Sequence, residues 1–141
     1  MFKWLALSSL LFLTACTDPF IGVPGGKLKG EPSPLPASWS SVPDVIQVEF
    51  RPSNPYSINI WAVVDGGNIH VATTATKWVP FIEANNQVTV RIDGKLYEML
   101  ALKVDTEEDA MSVAAAYTAK YDYEMSDDWT ELNAYRLVAR N

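Results

Sequence analysis

The stretch VATTATKWV, residues 71–79, places Thr73, Thr74, Thr76 and Lys77 within five positions. Three hydroxyls and a point charge ahead of a short helical pattern are the groups an anion site needs, because free helix amides complete it. Lys77 poses the question by its position. A cation at a helix N-terminus opposes the partial positive charge there, at a cost of about 0.3–1 kcal/mol. A bound anion reverses that sign. A second reading needs no ligand: Thr76 caps the helix, Thr73 and Thr74 are ordinary strand residues, and Lys77 extends into water. Arg51 and Arg91 are candidate second anion contacts or, more simply, solvated charges at strand ends.

The other reactive side chains carry less. His70 is the only histidine, and with no Ser or Cys nucleophile marked to pair with it, the sequence places it on a polar strand face as a surface residue. Asp105, Glu107, Glu108 and Asp109 cluster, but a helix N-terminus explains them, and no calcium-loop or other metal spacing is present. GVPGGKL, residues 22–28, lacks the glycine spacing of a phosphate loop and has Leu28 where a magnesium-holding hydroxyl belongs. The aromatics Tyr56, Trp61, Trp78, Phe81, Tyr97, Tyr117, Tyr121 and Tyr123 suit a pocket for a flat ring, or simply the core and rim of a small β domain.

The elements that must position these groups follow from periodicity. Ile46, Val48 and Phe50 alternate with Gln47 and Glu49 as a half-buried strand. YSINIWAVV, then Asn68 to Thr73, form two more strands joined at DGGN, whose glycines accept positive φ. Trp78 to Ala84 reads as a short helix with Pro80 in its first turn. QVTVRI and KLYEMLALKV are strands joined by Asp93-Gly94. Thr106 caps a longer helix whose buried stripe is Ala110, Val113, Ala114, Tyr117 and Tyr121, and ELNAYRLVAR is the last strand. The order β-β-β-α-β-β-α-β predicts a six-stranded, mostly antiparallel barrel, since closure removes the edges of so short a sheet.

The two ends of the N-terminal region set an address. Lys3 precedes an apolar run from Trp4 to Leu13, about half the length that spans a bilayer, which is a signal-peptide pattern. Leu13-Thr14-Ala15-Cys16 resembles the lipobox of bacterial lipoproteins. The resemblance implies removal of residues 1–15 and a lipid on Cys16, the only cysteine, so no disulfide is available. Without Lys3 the chain has 10 basic residues against 17 acidic ones, a net charge near −7 that disfavours nucleic acid and electrostatic adhesion to anionic lipid. Residues 16–43, rich in proline and glycine, read as a tether whose end, at Leu35 and Trp39, packs on the domain, and residues 44–141 as one domain. Thr17 after the lipidated cysteine favours the outer membrane over the inner, facing the periplasm.

The stretch INIWAVVDGGNIHVATTATKWVPFIEANNQVTVRIDGKLYEMLALKV resembles the flavin-binding split β-barrel superfamily, which includes pyridoxamine-phosphate-oxidase-like proteins and deazaflavin-dependent nitroreductases. The likeness extends over residues 45–121. Ala84-Asn85-Asn86 stands where members have an Asn-Pro helix end. Carried over position by position, the resemblance implies that Thr73, Thr74, Thr76 and Lys77, with Trp78 beside them, hold the phosphate of FMN or a deazaflavin. It implies hydride or electron transfer on a small substrate, and a homodimer seam beside the ligand. Members carry more basic residues at the phosphate than Lys77 alone. A cofactor-free barrel acting as a binding or structural module is the alternative.

Overall fold

The computed structural model describes residues 18–20, 22–74 and 77–141. Among these residues, seven strands and two helices form in the order β1 (Glu31–Pro32), β2 (Val45–Phe50), β3 (Tyr56–Asp65), β4 (Asn68–Thr73), α1 (Val79–Ala84), β5 (Gln87–Ile92), β6 (Lys95–Lys103), α2 (Glu107–Tyr121) and β7 (Asn133–Ala139), with a 3-10 turn at Trp129–Glu131 before β7. The strands run β6-β5-β2-β3-β4-β7, all antiparallel, and β7 pairs back on β6, closing a six-stranded barrel. The alternation in the sequence survives closure. Ile46, Val48, Phe50, Ile69, Val71, Val88, Val90, Met99 and Leu137 point inward, and α1 covers the core with Val79 and Ile82.

Both two-residue hairpins form as the turn chemistry dictates. Gly66 and Gly67 (φ 58° and 78°) join β3 to β4, and Asp93 and Gly94 (φ 51° and 75°) join β5 to β6. Helix α2 is stopped at both ends. Thr106 Oγ1 accepts the Asp109 N–H at 3.2 Å, three acids occupy the first turn, and Asp122 terminates the helix in the left-handed region at φ 52°. Its stripe of Ala110, Val113 and Tyr117 buries a second core with Val63, Ala72, Val104, Leu132 and Ala134 on the outer face of the barrel.

Two expectations are corrected. The Pro/Gly-rich stretch expected as a tether lies along the barrel from Asp18 onward. Asp18 pairs with Arg91 at 2.9 Å, Asn59 donates to the Pro19 carbonyl at 3.1 Å, and Gly25 exchanges backbone bonds with Ser57. Leu28 is 2% exposed, its N–H held by the Glu49 carboxylate at 2.6 Å. Residues 31–32 then add the short parallel strand β1 to β6; only the end of the segment was expected on the domain, and there Leu35 and Trp39 do pack against the core, the Trp39 ring meeting Tyr97 edge-on at 5.1 Å. Composition alone misjudged this segment because its few apolar groups use the barrel's core and its backbone pairs with strand ends that the barrel leaves free, at Ser57 and at Lys95–Leu96. His70, expected at the surface, is only 5% exposed. Its strand lies between β3 and β7, and the outward face on which it sits is roofed by the residues around Val104 and the start of α2.

Candidate functional site

The barrel opens where β3 and β4 part. They pair from Asp65↔Asn68 to Ala62↔Val71 and no further, although the next residues, Trp61 and Ala72, remain in strands. The Tyr117 hydroxyl stands between them: it accepts the Ala72 N–H at 3.0 Å and donates to the Trp61 carbonyl at 2.8 Å. One side chain of α2 thus gives a partner to one backbone group on each strand just past the end of their ladder, as buried amides and carbonyls require. Burial pushes the Tyr117 phenol far above its ordinary range, opposed in part by its bond to Ala72, so it stays protonated and able to donate.

The other edge of β3 is treated the same way. Where β3 ends its pairing with β2 at Val45↔Trp61, the Tyr121 hydroxyl accepts the Ala62 N–H at 3.0 Å and lies 2.7 Å from both the Asp44 and Ala62 carbonyls. Lys120 donates to the carbonyls of Val42, Pro43 and Ala62 at 3.0, 3.0 and 2.7 Å. Desolvation lowers the Lys120 pKa, with Asp44 acting in the opposite sense. Tyr117, Lys120 and Tyr121, spaced i, i+3, i+4, therefore act together on β3.

The parting leaves a cleft of about 290 Å³, just under the usual range for small-molecule sites. Asn59, Ile60 and Trp61 form one wall, Ala72, Thr73 and Thr74 the other, Tyr117 the floor, and Tyr123, Met125 and Ser126 the far rim. Trp61 is 45% exposed. It is stacked on Tyr121 with centroids 4.5 Å apart and planes at 6°, and Tyr123 meets it edge-on at 6.0 Å. Aromatic rings and hydroxyls together suit a flat ring with polar edges.

Of the residues singled out in the sequence, Thr73 and Thr74 line this cleft. Lys77 is exposed and outside its lining, and Thr76 lies outside the described residues. Trp78 is 6% exposed, stacked on Phe50 at 5.2 Å and tilted against Tyr135 at 5.8 Å, so it serves the barrel core. Helix α1 has six residues and no side-chain cap. Arg51 lies over the Phe81 ring at 4.3 Å, and Arg91 holds Gln47, Asp18 and the Lys29 carbonyl, so both cations are engaged elsewhere. Asn59, Tyr117, Tyr123, Met125 and Ser126 come to the site from distant parts of the chain. The sequence's signal for the two tyrosines was the run of aromatics, equally consistent with a core, and nothing in the sequence marked Asn59, Met125 or Ser126.

No protein-family model and no curated protein sequence matches the chain. Solved structures do. A Listeria innocua protein assigned provisionally as a pyridoxamine 5′-phosphate oxidase aligns with a TM-score of 0.56 at 14% identity over 70% of this chain and 86% of its own. A FAD-binding protein from Mesorhizobium loti aligns with a TM-score of 0.56 at 11% identity, covering 72% and 84%. An F420 reductase aligns with a TM-score of 0.50 at 19% identity, covering 76% and 97%. The chain thus has the split β-barrel fold expected from its strand order. At these identities the likeness establishes architecture, and the chemistry must be argued from the cleft.

Proposed function

We propose that this chain is a lipid-anchored envelope protein whose split barrel binds a flavin-like, phosphate-bearing aromatic ligand for redox chemistry. The observation that carries the ligand is the gap between β3 and β4, held open by Tyr117 and lined by Trp61, Tyr123, Thr73 and Thr74. Trp61 and Tyr123 would bound the ring, the two threonines would meet its polar edge or phosphate, and Lys77 would lie toward the tail. When bound, FMN or a deazaflavin supplies hydride transfer, and the protein supplies orientation. The anchor is the lipid on Cys16, with the barrel facing the periplasm from the outer membrane.

A specific observation favours a second reading. No lysine or arginine lines the cleft among the described residues. A barrel without a cofactor, binding an uncharged apolar ligand or serving as a structural module, fits that lining. Native mass spectrometry and absorbance on protein purified from its own envelope, followed by titration with FMN, separates the two. Uptake of FMN that Trp61→Ala and Thr74→Val weaken, with unchanged circular dichroism, supports the first. An apo mass that stays apo in excess FMN overturns it and leaves the second. Intact mass also reports whether Cys16 is acylated.

A further inference from the structure

We propose that the face formed by Phe20, Val23, Val45, Trp61 and Tyr123 rests in the surface of the lipid bilayer, so that the cleft opens onto the membrane. The inference rests on lipidation of Cys16. The chain that follows that cysteine is fastened to the barrel: Asp18 to Arg91 at 2.9 Å, the Pro19 carbonyl to Asn59 at 3.1 Å, and Gly25 to Ser57 in both directions at 2.8 and 2.9 Å. Only Thr17 lies between Cys16 and Asp18, and these two residue steps reach about 7 Å at full extension. The acyl chains therefore enter the bilayer beside the strap, and this side of the barrel cannot stand off from it.

The surface at that place is apolar. Phe20 and Val23 are 69% and 63% exposed and close on each other through backbone bonds of 3.0 and 2.8 Å. Phe20, Val45 and Trp61 line one shallow depression, and Tyr123 adjoins Trp61. These five are all but one of the large apolar residues exposed among the described residues; Met111 on α2 is the other. Tryptophan and tyrosine favour the level of lipid headgroups, where a ring is half in hydrocarbon and half in water. An acidic chain gains nothing from anionic lipid, so the contact is apolar and indifferent to salt. The depression and the cleft share Asn59, Ile60 and Trp61, which puts the cleft mouth at the membrane surface and its small-molecule traffic in the headgroup layer.

Cys16 is the only cysteine, so once it is acylated an introduced thiol is unique. The test uses the full acylated protein in phosphatidylcholine vesicles, spin-labelled at Val23→Cys or at Glu107→Cys, which lies at the far end of α2. Relaxation by oxygen relative to a water-soluble nickel chelate should be several-fold higher at position 23 than at 107, and should persist at raised salt. Equal accessibility of both positions on acylated protein overturns the docking and leaves the anchor intact. Dipolar coupling between labels at position 23 of two molecules overturns it in favour of a second copy of this chain on the same face. Protein of unacylated mass removes the anchor and the inference with it.

Discussion

Replacing Tyr117 with phenylalanine removes one oxygen and nothing else, and the structure says what that oxygen does. The Ala72 N–H and the Trp61 carbonyl lose their shared partner in a site where Tyr117 is 2% exposed. Each buried polar group left unsatisfied costs about 1–3 kcal/mol. The deleted phenol no longer needs desolvation, which returns part of that cost. The ring still fills its place, so no cavity term enters. A net loss of about 2–3 kcal/mol is expected, a large share of the roughly 5–15 kcal/mol that holds a domain together. Urea titration should show the midpoint falling by about 1–2 M with an unchanged slope. Hydrogen exchange should speed up at the Ala72 amide in particular. Tyr121→Phe offers the contrast: its hydroxyl bonds Ala62 and Asp44 nearer to solvent, where water substitutes, so its loss should be smaller. A Tyr117→Phe protein within about 0.5 kcal/mol of the native one, with Ala72 still protected, would refute the reasoning, because the strands would then be closing without the hydroxyl.

Tyr135 gives the opposite expectation. Its hydroxyl is buried in the barrel with no hydrogen-bond partner among the described residues, so Tyr135→Phe should raise stability by about 0.5–1.5 kcal/mol in the same titration. Leu28→Ala should cost about 2–4 kcal/mol and expose the strap to limited proteolysis, whereas a true tether would lose nothing. His70 has its pKa lowered, chiefly by desolvation, against the raising influence of its Asn68 bond. The unfolded chain then takes up the proton first as pH falls, so this contribution is complete above the ordinary value of 6.5 and declines below it until the folded histidine also titrates. Denaturation midpoints from pH 7.5 to 5 should show that slope, and His70→Gln should flatten it. Lys120→Met should cost about 1–3 kcal/mol by stripping charged hydrogen bonds from three carbonyls, read by the same midpoints.

Much of the barrel was legible because its signals are local. Period-two alternation located β2, β4 and β5, Asp93-Gly94 and Gly66-Gly67 fixed two hairpins, and Thr106 with its three acids fixed the start of α2. What stayed illegible depends on contacts far apart in sequence. Leu28 looks like one apolar residue in a flexible run, and the carboxylate that holds its buried N–H belongs to Glu49, 21 positions on. His70 alternates with Ile69 and Val71 as a surface residue should, but the outer face of β4 is roofed by the start of α2. The candidate site shows the same division. Thr73 and Thr74 stood out at the strand end, whereas the aromatic wall beside them required knowing that residues 59–61, 72–74 and 117–126 converge.

The convergence has a physical cause that joins the fold to its cleft. A strand that leaves its neighbours exposes amide and carbonyl groups on each departing edge, and in a closed barrel those groups cannot stay bare. Tyr117 serves the β4 edge of β3, and Lys120 and Tyr121 serve its β2 edge, from a single face of α2. The gap is therefore maintained by the helix and would close or unravel if the helix moved. Trp61, which bounds the cleft, is stacked at 4.5 Å on Tyr121, so a ligand pressing on the indole presses on the residue that anchors the helix. Binding in the cleft and docking of α2 must then stabilise each other, since each orders side chains that the other needs. Any ligand found for this protein should accordingly slow exchange at the Ala62 and Ala72 amides, on opposite edges of β3, even where it touches neither.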